Sequence, residues 1–243
     1  HPGIEIDAVE IEPEVIRTAP LFKAHNHNIL EDPRFHLTLD DARHYLALSH
    51  PLYDVIVMDL NGLEYKQNGD LYTQESFKLA RQRLSPNGLT AAWVPLNAIS
   101  EQDFRILLNT FASVYPHTSV WLDHRNEESA QYVLLIGHTQ AFQFNPVQKA
   151  LFTKRFNAPN IKTDLALIEL YTPEQLLSFF HMGPAQVADY TQNSALHTDN
   201  HPILKFSKLL IPTERYRELK ASWLALKYYH ASNKGVTIPL NVE

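Results

Sequence analysis

Residues Ile4-Glu5-Ile6-Asp7-Ala8-Val9-Glu10 alternate apolar and polar side chains, the period of a half-buried strand. Pro13 then stands where a first helical turn tolerates a missing N–H, and the pattern predicts a helix from about Pro13 to Lys23. A second strand is predicted at Phe35 to Leu39, followed by a helix that Asp41 opens and that runs through Leu48. Tyr53 to Met58 is an apolar run ending at Asp59, and its lack of polar alternation predicts a strand covered on both faces. Thr73 begins a helix with Phe77, Leu79, Ala80 and Leu84 on its apolar side, and Asn87-Gly88 reads as its left-handed stop. Leu89 to Pro95 is the next strand, and Ser100-Glu-Gln-Asp103 has the form of a capping box for a helix through about Val114. Thr118 to Asp123 and Gln131 to Gly137, joined by the polar loop His124 to Ala130, read as a closing hairpin.

Strands that alternate with helices at short spacing build a parallel, doubly wound sheet, to which a terminal hairpin adds an antiparallel strand. The expected class is α/β, Rossmann-like, with the outline of a class I S-adenosylmethionine methyltransferase fold. In such sheets a ligand lies beyond the carboxyl ends of the strands. Glu10, Asp40 with Asp41, and Asp59 each fall at or just past a strand end, and are the candidate chemistry of the chain. From about residue 141 the pattern changes to helices and proline-punctuated loops, with Thr172-Pro173-Glu174-Gln175 a strong helix start and a last helix expected from Pro212 to about Tyr229. Residues 1–140 therefore read as the catalytic core, and 141–243 as a mainly helical extension or lid packed on it.

Composition narrows what that core holds. The 243 residues contain seven glycines, and the closest pair, Gly62 and Gly69, stands seven apart. Neither a GxGxxG fingerprint nor a Walker-type loop fits, because both need clustered glycines for close backbone approach to phosphate. The net charge is −6 without a basic block, which argues against nucleic acid as a partner. With no cysteine there is no disulfide, thiolate nucleophile or cysteine zinc site, as suits a reducing, cytoplasmic setting. No apolar run approaches the length of a membrane span, so direct membrane insertion by this segment is not expected. The chain opens at His1 and enters a strand at once, from which a numbering that starts inside a longer protein is expected.

Several motifs, taken in order, are similar to those of a known family. The succession Ala8-Val9-Glu10-Ile11-Glu12-Pro13-Glu14-Val15, then Asp32-Pro33-Arg34, Asp40-Asp41-Ala42-Arg43-His44-Tyr45-Leu46 and Tyr53-Asp54-Val55-Ile56-Val57-Met58-Asp59 resembles the spermidine synthase (polyamine aminopropyltransferase) family. So do Leu71-Tyr72-Thr73-Gln74-Glu75-Ser76-Phe77, Arg83-Leu84-Ser85-Pro86-Asn87-Gly88 and Trp93. His197-Thr198-Asp199-Asn200-His201-Pro202-Ile203-Leu204-Lys205-Phe206 resembles a segment near the end of larger spermidine synthase-like proteins, in which the domain is often joined to a membrane part. The resemblance implies decarboxylated S-adenosylmethionine as co-substrate, or S-adenosylmethionine on the same scaffold, with no metal. It implies that Glu10 accepts the ribose hydroxyls, that Ile11 lies against the adenine, and that Asp41 and Ala42 meet the adenine edge. Asp59 matches the acid that holds and deprotonates the attacking amine, while Tyr72, Trp93 and Asp199 are lesser candidates for contact with a polyamine or diamine.

The departures bear on function too. The family places a second acid three residues after the first, where this chain has Gly62, and Glu64 or Asp70 would have to substitute. The family's first strand, its glycine loop and a small β domain would all precede Ile4. In that case the sheet lacks a central strand between Ile4–Glu10 and Tyr53–Met58, leaving open edges that favour self-association into a homo-oligomer, and the isolated chain is expected to be inactive. Plainer roles compete with each candidate: Glu10 as a solvated strand end, Asp41 as a helix cap, Tyr72 and Trp93 as core or rim aromatics, Asp199 as a turn residue. The thirteen histidines include His25-x-His27 and His197-x-Asp199-x-His201, whose turn signals argue against a helical metal site. The expected function is aminopropyl transfer in polyamine biosynthesis. The alternatives are a methyltransferase on the same scaffold or a non-catalytic ligand-sensing module.

Overall fold

Alternation over Ile6–Glu10 forms strand β1, which pairs in parallel with β2 (Phe35–Leu39), Ile6 opposite Phe35 and Glu10 opposite Leu39. The computed structural model describes residues 3–48, 51–59, 66–96, 99–123, 125, 132–141, 145–207 and 217. Between these strands helix α1 is Pro13–Thr18, shorter than its pattern predicts, and the chain continues as a 3₁₀ turn over Ala19–Phe22. Pro20 explains the difference: it has no N–H with which to continue the α-helical hydrogen bonds. Helix α2, Ala42–Leu48, follows β2 directly.

These elements make up a first compact unit, His1–Pro51. None of its described residues is buried, and Ile4, Ile6 and Leu39 are all exposed. A two-stranded sheet without a core is marginal by itself.

The second unit, Leu52–Glu243, holds the core. Strand β3 (Tyr53–Met58) runs parallel to β4 (Leu84–Pro95), with helix α3 (Gln74–Gln82) in the crossover. Helix α4 (Glu101–Val114) then leads to the antiparallel pair β5 (His117–Leu122) and β6 (Tyr132–His138), the expected hairpin. The sheet order is β3-β4-β6-β5, with β6 antiparallel to β4. Phe77 of α3 and Phe104, Leu107 and Phe111 of α4 are fully buried against it with Leu135 of β6. Gly137 lets the sheet approach the end of α4: a Cβ there would come within 2.7 Å of the Tyr115 side chain and 2.8 Å of Phe111.

Two expectations change here. Val55 and Val57 of β3 are 52% and 64% exposed while Met58 is buried, so β3 is covered on one face only. The apolar run reported that the strand is apolar, not that both sides are packed. The second concerns Gly88, which has no left-handed φ. Helix α3 ends earlier, at Arg83, and Gly88 lies within β4, where a Cβ would stand 2.8 Å from the Tyr53 carbonyl oxygen. Its glycine serves a close strand approach rather than a helix stop.

The rest of the described chain carries α5 (Pro146–Phe156), α6 (Pro159–Ala166), α7 (Pro173–Leu177) and α8 (Pro184–Tyr190). Asn145 and Thr172 close reciprocal capping boxes on α5 and α7, the second as its sequence predicts. Strand β7, Phe180–Met182, adds itself antiparallel to β5 and makes the sheet five-stranded. These helices and the loops between them belong to the same unit, Leu52–Glu243, as the five-stranded sheet. The helix expected over Pro212–Tyr229 and most of the loop His124–Ala130 lie outside the described residues. Among the described residues, no helix is long and apolar enough to cross a membrane.

Among the described residues β1 pairs with β2 alone and β3 with β4 alone, and no strand pairing joins the two-stranded and five-stranded sheets.

Candidate active site

Each unit gathers candidate residues at the carboxyl ends of its parallel strands. In the first, the Asp40 N–H donates to the Glu10 carbonyl at 3.1 Å, tying the two strand ends together. Half-buried Glu10 accepts the Glu12 N–H on Oε1 at 2.8 Å, which fixes its carboxylate at the turn out of β1. Ile11 beside it is 61% exposed, an apolar surface next to a carboxylate.

Asp41 Oδ1 accepts the His44 N–H at 2.9 Å, and its carbonyl accepts the Tyr45 N–H. This is the capping role, with Ala42 the first residue of the helix. Asp40 accepts from its own neighbour's N–H at 2.8 Å and meets His44 Nδ1 at 2.8 Å. The hydrogen bond from His44 holds the Asp40 carboxyl below the usual carboxylate range. Glu10, Ile11, Asp41 and Ala42 therefore share one end of one small sheet.

In the second unit Asp59 leaves β3 immediately after Met58, which lies opposite Ala92 of β4. Asp59 is exposed. Tyr72 is fully buried, and its phenol donates to the Trp93 carbonyl at 3.1 Å. Burial, and beyond it the negative charge of Asp59, push the Tyr72 phenol far above its ordinary value. Tyr72 is accordingly a neutral donor spent on the backbone of β4, a packing role that holds the strand end. Trp93 is 40% exposed, its ring centroid 5.3 Å from that of Tyr132.

Asp199 is exposed in the turn Thr198–His201, which two backbone hydrogen bonds close. Its N–H donates to Glu75 Oε2 at 2.9 Å, at the start of α3. Asp70, one candidate to replace the second acid, forms an ion pair with Lys205 Nζ at 2.8 Å. Gly62 and Glu64 lie outside the described residues.

Among the described residues no three metal-ligating side chains come together. Both ring nitrogens of His197 are committed to backbone groups, to the Gly69 carbonyl at 2.8 Å and the Leu204 N–H at 3.3 Å. This fully buried histidine is a contact that the sequence pattern missed, since its partners lie 128 and 7 residues away.

The spermine/spermidine synthase domain model matches residues 1–121, from β1 through most of β5. The chain belongs to the spermine/spermidine synthase family. A polyamine aminopropyltransferase of Mycobacterium tuberculosis (strain CDC 1551 / Oshkosh) is 37% identical over 94 residues, 37% of this chain and 18% of that protein. One from Korarchaeum cryptofilum is 31% identical over 119 residues, 46% of this chain and 36% of that protein. Among solved structures, the spermidine synthase of Thermotoga maritima superposes with a TM-score of 0.55 at 17% identity, covering 77% of this chain and 59% of that one. A spermidine synthase in complex with the transition state analogue AdoDATO gives 0.59 at 18% identity, covering 77% and 61%. The family's α/β, Rossmann-like fold of class I methyltransferase type is thus the fold of this chain, although the matched part spans less than two thirds of each of these proteins.

Proposed function

We propose that this spermidine synthase-family chain carries the acidic residues of an aminopropyltransferase. In this reading an aminopropyl group passes from decarboxylated S-adenosylmethionine to a polyamine or diamine acceptor. The observation that carries it is the place of Asp59: an exposed carboxylate at the carboxyl end of a parallel strand, within the segment that matches the family.

The chemistry asks for such a group. An aliphatic amine with a pKa near ~10 arrives protonated, so a carboxylate first binds the cation and then helps to remove its proton. The freed lone pair attacks the carbon beside the sulfonium. A C–N bond forms, the C–S bond breaks with its electrons passing to sulfur, and a neutral thioether leaves. Alignment of nitrogen, carbon and sulfur supplies most of the acceleration in such a displacement. Glu10, an acceptor-only carboxylate, suits the two ribose hydroxyls, with Ile11 against the adenine and Asp41 and Ala42 at its edge.

Product analysis of the full-length gene product with decarboxylated and ordinary S-adenosylmethionine and a panel of diamines is expected to give aminopropylated amine from the decarboxylated donor only. Methyl transfer without aminopropyl transfer would sink this reading. The 243 residues alone, with scattered glycines and no backbone cradle of the glycine-loop type, are expected to bind the nucleoside donor weakly. Calorimetry giving a Kd of about 1 μM or tighter would contradict that expectation.

A further inference from the structure

We propose that His197 is a positioning residue for the Gly69–Tyr72 segment, and through it for the strand ends that carry Asp59 and Trp93; the catalytic part of this inference rests on the functional reading above. His197 is fully buried and joins four parts of the second unit. Its N–H donates to Thr110 Oγ1 of α4 at 2.8 Å, and its carbonyl accepts the Gln74 N–H, an otherwise unsatisfied donor of the first turn of α3. Its ring lies between the Gly69 carbonyl and the Leu204 N–H.

Those partners settle the tautomer. A backbone N–H only donates, so Nδ1 accepts from Leu204, and the ring proton on Nε2 goes to the Gly69 oxygen. Only a neutral ring satisfies both sides. Burial favours that form by lowering the His197 pKa, against the Gly69 carbonyl and the carboxylates of Asp70, Asp199 and Glu75, which pull it up. Lys205, whose ammonium pairs with Asp70, is the cation on this side of the segment.

The held segment leads straight to the site. Gly69 lies in the 3₁₀ turn Lys66–Tyr72, which ends at the tyrosine whose hydroxyl donates to the Trp93 carbonyl and whose phenol feels the charge of Asp59. The turn also runs close to Lys205: a Cβ on Gly69 would meet Lys205 Cα at 3.5 Å. Thr73 then caps α3 through the Ser76 N–H. With the Nε2–H···O bond removed, this turn loses a side-chain anchor to the 197–206 segment, while the Asp70–Lys205 pair stays in place.

Two variants separate positioning from bulk stability. In His197→Gln the amide N–H reaches the place of Nε2 and keeps the Gly69 bond. In His197→Asn the shorter side chain keeps only an acceptor for Leu204. Hydrogen exchange of the chain itself is expected to show residues 66–72 protected in wild type and in His197→Gln, and at least ~10-fold faster in His197→Asn, the loss of one buried hydrogen bond. In the full-length gene product kcat for aminopropyl transfer is expected to fall by about 10-fold in His197→Asn and to stay within about 3-fold in His197→Gln, with KM for the donor little changed. Equal exchange in the two variants, or kcat that follows melting temperature irrespective of which bond is kept, would overturn the proposal. A wild-type gene product that transfers no aminopropyl group would instead sink the functional reading, and the exchange pattern would still decide whether His197 holds this turn.

Discussion

Asp59→Asn in the full-length gene product is expected to lower aminopropyl transfer by ~10²–10⁴-fold, the range over which a positioned general base acts. The variant keeps the shape of the side chain and removes its charge and its basicity. Because Asp59 is exposed, the fold should hardly notice, and the change in stability is expected to stay within about 0.5 kcal/mol. The two roles of the carboxylate predict a particular kinetic pattern: KM for the acceptor amine rises as the cation loses its partner, and kcat falls as the proton loses its acceptor. Steady-state kinetics over a range of acceptor concentrations, beside a melting curve, measure all of this. Unchanged turnover would remove Asp59 from the mechanism. A matched loss of activity and melting temperature would make it structural. The position of Gly62 sharpens the test, because the residue three after Asp59 carries no carboxylate to compensate.

Local chemistry was legible in the sequence, and distant partners were not. The parallel strands, the crossover helices, the closing hairpin and the cap at Thr172 follow from periodicity and turn residues within a few positions. Both readings of Asp41 could be written down beforehand, and the cap is visible because its partner is three residues away. Strand β7 was missed because Phe180-His181-Met182 is too short to display a period. The exposure of Val55 and Val57 was missed for a different reason: an apolar run states what a strand would bury, while its surroundings decide whether it does. Gly88 shows the same limit, since its close contact is with Tyr53, a residue of another strand. His197 is the extreme case, a residue whose meaning comes from Gly69 and Thr110 and not from its own neighbours.

Phe77→Ala carries the largest expected cost in stability, because Phe77 links the site to the core. Its ring is fully buried, edge-on to Phe111 at 5.0 Å and to Tyr72 at 6.4 Å, and Phe111 in turn packs on Tyr115 at 4.7 Å. Its carbonyl accepts the Tyr115 hydroxyl, which also meets Thr90 Oγ1 of β4 at 2.8 Å. Truncation removes the ring between α3, α4 and the strands and leaves a cavity, which costs about 3–5 kcal/mol for a buried phenylalanine. Phe77→Leu refills most of that volume and is expected to cost less than about 1.5 kcal/mol. Urea unfolding of the chain, followed through Trp93 on β4 and Trp121 on β5, reports on the sheet that this ring supports. The same truncation frees the edge of Tyr72, so the anchor on the Trp93 carbonyl should loosen and faster exchange should spread into the 66–72 turn. A loss below about 1 kcal/mol in Phe77→Ala would mean that the surrounding side chains collapse into the space, and that Tyr72 is held in place by its hydrogen bond rather than by the aromatic stack beneath it.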